Sequence, residues 1–331
     1  MSYSLSDIKM KNYLTASSSP LTESVERLQC CYDAGFSSAI LKSAAAYVRA
    51  GTGHGRKVVY TEDGYYADAS FEREILTLEE GITLYKGALD VCPSDMLLIP
   101  SVSASSLDPE EWLQSCKQFA SCGAVLLQLD FFYLGTLNHD SGFFEKLRQL
   151  LTVLVSDLDC NIMPKLNLNF EPNHICKLLQ ECGVKTVSLL DSMREDPDRD
   201  LGLHNGTTSY FGYRQLPWTI EYLKAAKRFD LETCAGGGVV SKKDVDTLLS
   251  LGADMVQTAS YVLCRDFTAV QDLLEPTLWS CNHSEILKHN PWCDYKDGEP
   301  CEKCGACTLH KTSMQATNTE SSISACMGGL L

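Results

Sequence analysis

Residues 108–130 read DPEEWLQSCKQFASCGAVLLQLD, and this stretch decides the fold. Asp108-Pro109-Glu110-Glu111 opens a helix with an N-cap acceptor, a first-turn proline that has no N–H to lose, and acids favoured by the helix dipole. Trp112, Cys116, Phe119 and Ala120 then recur on one helical face. Cys122-Gly123 ends the helix, because glycine tolerates the left-handed backbone of a helix stop. Ala124 to Leu129 follows as an apolar run without alternation, as expected of a strand buried on both faces of a parallel sheet.

The same grammar recurs along the chain. Cys31 to Gly35 leads into Ser38-Ala39-Ile40-Leu41, Cys182-Gly183 into Thr186 to Leu190, and Leu251-Gly252 into Met255 to Thr258. Ser241 to Asp244 repeats the capping pattern ahead of Val245, Leu248 and Leu249. Further strands are expected at Tyr13 to Ala16, Leu97 to Val102, Asn161 to Leu166 and Leu231 to Ala235. Eight short strands alternating with a like number of helices predict an α/β fold, a (β/α)8 TIM barrel rather than an open doubly wound sheet. Residues 1–280 supply the barrel, and residues 281–331 a short Cys-rich C-terminal extension.

Charge and composition narrow the partners. The net charge is −15, so the chain repels phosphate backbones and no general nucleic-acid binding is expected. No run reaches the roughly 20 apolar residues of a membrane helix. Met1 to Lys11 carry no basic-then-apolar leader, which predicts a cytoplasmic protein. Of the 16 cysteines, Cys116, Cys122, Cys176 and Cys182 fall at apolar positions and read as small buried hydrophobes in a reducing compartment.

In such a barrel, chemistry gathers at the C-terminal ends of the strands. Those ends carry Lys42, Asp130, Lys165 with Asn167, Asp191 with Ser192, Gly236-Gly237-Gly238, and Thr258 to Ser260. Two lysines and two aspartates at one mouth exceed what a structural rim requires. The glycine run ahead of Ser241 either cradles a phosphate with its amides or is a tight packing turn. Residues 43–73 and 191–216 are long loops on the same face and read as covers for a site. Gly51 to Gly55 belongs to that cover and not to a phosphate motif, since no strand leads directly into it.

These residues resemble the FMN barrel of dihydroorotate dehydrogenases and the pyrimidine-reducing domain of dihydropyrimidine dehydrogenases over residues 10–280. The resemblance is carried by Thr15-Ala16-Ser17-Ser18, Ile40-Leu41-Lys42-Ser43, Met163-Pro164-Lys165-Leu166-Asn167, Ala235-Gly236-Gly237-Gly238-Val239, Val256-Gln257-Thr258-Ala259-Ser260 and Asp266-Phe267-Thr268-Ala269-Val270. It implies FMN contacts from Ala16, Ser17, Lys42, Ser43 and Lys165, with the flavin phosphate at Gly237, Gly238, Ala259 and Ser260. A lysine beside the N1/O2 edge stabilises the anionic reduced ring. The resemblance also implies a homodimer.

The substrate side departs from the family. Asp130 stands where an Asn is expected, Tyr133 at the position of the general base, Asp191-Ser192 in place of an Asn-Thr or Asn-Ser pair, and Arg73 where another Asn is expected. Asp in place of Asn removes a donor and adds a charge. The resemblance therefore implies a changed substrate, held by Arg73, Asp130, Asn167, Asp191 and Ser192. Tyr133 is either a proton donor or an aromatic lid, and Lys165 is the catalytic cation.

Cys301, Cys304 and Cys307 form C-x-x-C-x-x-C, similar to the start of a ferredoxin cysteine run, with Lys311 at the place of its fourth Cys. Cys293, or else His310, would complete the set as metal ligand for one [4Fe–4S] cluster; the alternatives are zinc with Cys293 as fourth ligand, or a metal-free remnant. The expected activity is an FMN-dependent dehydrogenase or reductase of the CH–CH class, acting on a C–C or C–N double bond of a small polar metabolite with an electron-transfer partner. Two alternatives stay open. One is a non-redox phosphate-binding lyase or aldolase using Lys165. The other is a non-catalytic barrel subunit that docks a partner through its Cys-rich tail.

Overall fold

A computed structural model describes residues 3–46, 58–61, 64–68, 75–131, 142–195, 197, 208–274 and 323–324. Its framework is an α/β fold around a curled sheet of 11 strands, every pair of them parallel. The expected strands are present as Leu14–Ala16, Ser38–Ile40, Leu126–Asp130, Asn161–Lys165, Thr186–Leu189, Glu232–Gly236 and Met255–Thr258. The expected run at Leu97 to Val102 is split into Leu97–Ile99 and Ser101–Ser103. Pro100 makes the break, because it has no N–H to give a ladder. Its two halves face opposite ways round the curl. Leu97–Ile99 pairs with Ser38–Ile40, whereas Ser101–Ser103 pairs with Leu126–Asp130. The arrangement is compatible with a TIM-like barrel.

Helices pack outside the sheet, and their stops follow the sequence. Asp108 accepts from Glu110 N at the start of helix Pro109–Ser121, and Ser241 accepts from Asp244 N at the start of Lys242–Ser250. Gly35, after helix Val25–Ala34, has φ +108°, and its N–H closes the last turn onto Tyr32 O. Cys116, Cys176 and Cys182 are buried and Cys122 half-buried, all as free thiols. Burial pushes the Cys176 thiol up to about 12, so it packs as an apolar group.

The N-terminal end of the curl is filled. A hairpin, Tyr3–Leu5 with Ile8–Met10, inserts Leu5 and Met10 against Ile40, Ile99, Leu126, Met163, Cys234 and Met255. Ser6 and Asp7 form its turn with φ of 51° and 65°, the left-handed pair of a tight hairpin. Ser6 N donates to Glu232 Oε2 at 2.6 Å, at the first residue of a sheet strand. The hairpin was not legible in the sequence, since three-residue strands carry too little periodicity. With this end plugged, an opening remains at the other.

There the two long covers differ from the loops expected of them. Gly64–Asp68 pairs antiparallel with Thr208–Gly212, and a second sheet forms in the order Met193–Arg194, Thr208–Gly212, Gly64–Asp68, Val58–Thr61, Ile323–Ser324. Aromatic and β-branched residues favour this pairing. Tyr65 stacks on Phe211 with ring centroids 4.9 Å apart and planes at 15°. Arg214 bonds to Tyr66 Oη, pairs with Glu195, and lies 3.8 Å over the Tyr210 ring.

Gly51 to Gly55, Arg73, Tyr133, the boundary at residue 280 and Cys293, Cys301, Cys304 and Cys307 lie outside the described residues. No helix among the described residues is long and apolar enough to cross a membrane. Nor does any group of three or more His, Cys, Asp or Glu among them form a metal site.

Candidate functional site

The C-terminal ends of the strands open on one cavity of about 980 Å³, solvent at its mouth included. Of the residues expected at the site, Ser17, Lys42, Ser43, Asp130, Lys165, Asp191, Ser192, Gly237, Gly238, Ala259 and Ser260 all border it. Ala16 and Asn167 do not. Ala16 is fully buried within its strand. Asn167 turns aside, where its Oδ1 accepts from Asn169 N at 3.0 Å and shapes the loop.

Register sets the charged wall. Asp130 and Lys165 end neighbouring strands and are Cα partners, so both side chains project to the same side. Lys165 Nζ lies 3.2 Å from Asp191 Oδ2, and both residues are buried. Asp191 is held from three directions. Ser192 N donates to Oδ1 at 2.7 Å, Gln215 Nε2 donates to its carbonyl at 2.8 Å, and its own N–H donates to Leu166 O at 2.9 Å.

A chain of hydroxyls serves the other acid. Ser43 Oγ donates to Asp130 Oδ2 at 2.6 Å. That commits the only proton of Ser43, so Ser101 Oγ at 2.9 Å and Ser18 Oγ at 3.2 Å donate to it. Ser101 in turn accepts from Gln128 Nε2 at 2.9 Å. Lys42, half-buried, also lines the cavity, its N–H tied to Thr22 O.

The opposite wall offers amides. Gly238 has φ +86°, and a Cβ there would lie 2.4 Å from Leu216 N, so only glycine fits. Thr219 Oγ1, fully buried, contacts Gly236 O at 2.7 Å and Gly237 O at 2.9 Å and fixes the loop. The N–H groups of Gly238, Val239, Ala259 and Ser260 have no acceptor among the described residues. An unpaired amide facing a cavity is a site for an anion.

Gln257 lies between the walls. Its Nε2 donates to Ser188 Oγ at 2.9 Å, to Cys234 O at 3.1 Å and to Leu189 O, which fixes the orientation of the amide. Its buried Oε1 is left with no partner among the described residues. Leaving such an acceptor unmatched costs about 1–3 kcal/mol. Tyr65, Ala67 and Phe211 roof the cavity from the second sheet. Behind it, Tyr222 Oη donates to Asn167 O and Phe170 O; burial first, and then its neighbours Cys176 and Glu171, push its phenol up.

Ser18, Tyr65, Phe211, Gln215, Thr219 and Gln257 are the participants that sequence reasoning missed. Gln257 alone left a signal, as an amide inside an apolar strand. A scan against protein-family models finds no match to the chain, and a search of the curated proteins finds none either.

Proposed function

We propose that the chain is an FMN-dependent oxidoreductase similar to the dihydroorotate and dihydropyrimidine dehydrogenases, built on a closed (β/α)8 barrel. Support for closure comes from Pro100, whose flanking strands pair with both sides of the curl. The observation that carries the functional reading is that Lys42 and Lys165 share one aromatic-roofed cavity with the unpaired amides of Gly238, Ala259 and Ser260. An anion fits the amides, and a planar polar ring fits beside the two lysines that line the same cavity.

Bound FMN would supply a two-electron hydride acceptor or donor, suited to a C–C or C–N double bond. The amides would hold its phosphate, and Lys42 and Lys165 would face the anionic edge of the ring. Asp130, oriented by Ser43, would take a donor group of the substrate. Arg73 and Tyr133 keep the substrate and proton roles implied by the resemblance, as the tail cysteines keep theirs toward iron–sulfur or zinc.

Titration of the apo-protein with FMN and with riboflavin tests this reading. Capture of the phosphate predicts at least tenfold tighter FMN binding; equal affinities, or none for either, would overturn it.

The Lys165–Asp191 contact also favours a second reading, an aldolase-type site in which an acid serves a Schiff-base lysine. Borohydride trapping of a carbonyl compound on Lys165 would support that reading, and an unchanged mass after treatment would count against it.

A further inference from the structure

The two cavity aspartates do different work. Asp130 receives a hydroxyl from Ser43. Asp191 instead meets a cation, with Lys165 Nζ 3.2 Å from its Oδ2. Its other oxygen takes the Ser192 amide, and its backbone is fixed at both N–H and C=O. A carboxylate locked in this way has little freedom to follow a substrate. We propose that Asp191 is a positioning residue, the built-in counter-ion of Lys165, which limits the positive charge offered to the bound flavin. This rests on the flavin reading and deepens it.

The electrostatics follow from distance and burial. Lys165 is 7% exposed and Asp191 4%, so little water screens either charge. A nearby group sees a lone ammonium as a full charge, but an ammonium paired at 3.2 Å as a dipole whose field falls faster with distance. Reduction of a flavin places negative charge at the ring edge, and a cation there favours the reduced form. With Asp191 present, that preference is held down. Three further groups support the assignment. Asp130, the strand partner of Lys165, is a second acid lining the cavity, Gln215 anchors the Asp191 backbone, and Lys42 supplies a separate cation in the same cavity.

The test is the ratio of affinities for reduced and oxidised FMN, obtained from the reduction potential of the FMN-loaded protein against reference dyes. Asp191→Asn keeps the shape and an acceptor for Ser192 N, and it frees the charge of Lys165. It raises the ratio at least tenfold, which is about 30 mV upward for a two-electron couple. Lys165→Met leaves Asp191 uncompensated and lowers the ratio by a similar factor. The double variant loses both charges and returns to within threefold of the wild type. A purely structural role would not produce opposite signs that cancel.

An unchanged or lowered ratio in D191N, with FMN still bound, overturns the inference and leaves the flavin reading intact. Should D191N not fold, K165M decides alone: a ratio equal to or above that of the wild type overturns the proposal. Failure of the wild-type protein to bind FMN at all sinks the flavin reading and this inference together.

Discussion

Ser43 Oγ and Asp130 Oδ2 lie 2.6 Å apart, joining the start of the first cover to the end of a sheet strand. The bond is buried and its acceptor is charged, which places it among the stronger hydrogen bonds of the fold. It also directs the protons of Ser18 and Ser101 toward Ser43.

Ser43→Ala breaks this chain at its centre. The loss is expected at about 1.5–3 kcal/mol, the range for hydrogen bonds to charged groups. Urea unfolding at neutral pH measures it. An unchanged midpoint would show that water replaces the hydroxyl at no cost.

Thr219 fixes the glycine loop from outside the cavity through two carbonyls. Thr219→Val keeps the shape but removes the hydroxyl contact to both carbonyls, leaving Gly236 O with the Leu190 N–H. FMN affinity is expected to fall at least tenfold, with Thr219→Ser restoring most of it. Fluorescence titration reads both, and equal affinities in all three proteins would remove Thr219 from the account.

Met255 lies in the small cluster that the hairpin plugs, at the end of the curl away from the cavity. Met255→Ala should cost about 2–5 kcal/mol, as for other large-to-small core changes. Its FMN affinity should stay within twofold of the wild type. A loss of stability under about 0.5 kcal/mol would mean that the plug is not packed as described.

Glu171 caps helix Pro172–Glu181, accepting from Asn173 N at 3.1 Å and His174 N at 2.6 Å. The His174 and then the Asn173 amide hold its carboxyl below the usual 4.5. The folded value is depressed, so the unfolded chain takes up the proton first. The stabilisation is therefore whole above the unfolded value and is lost as pH falls through the folded one. Glu171→Gln should lower Tm slightly at neutral pH, and the gap should close in acid. A gap that is constant with pH would contradict the capping role.

Much of this was legible in the sequence, and the physics explains which part. Lys42, Asp130, Lys165 and Asp191 were readable because parallel strands deliver their last residues to one rim. Asn167 is not among the residues that line the cavity, and its Oδ1 accepts from Asn169 N just past the strand, a local bond that strand position alone does not show. Tyr65 and Phe211 were invisible, since their contact depends on pairing two segments far apart in the chain. The pairing of Lys165 with Asp191 was equally hidden. Position showed two charges at the mouth, but only the 3.2 Å contact shows that they belong to each other.

The absorption spectrum of anaerobically purified protein, before and after photoreduction, tests the central claim most directly. The account predicts flavin bands that bleach on reduction and reappear in air, with mass spectrometry of the released chromophore giving FMN. A spectrum with protein absorbance alone, unchanged after incubation with FMN and removal of the excess, would contradict it.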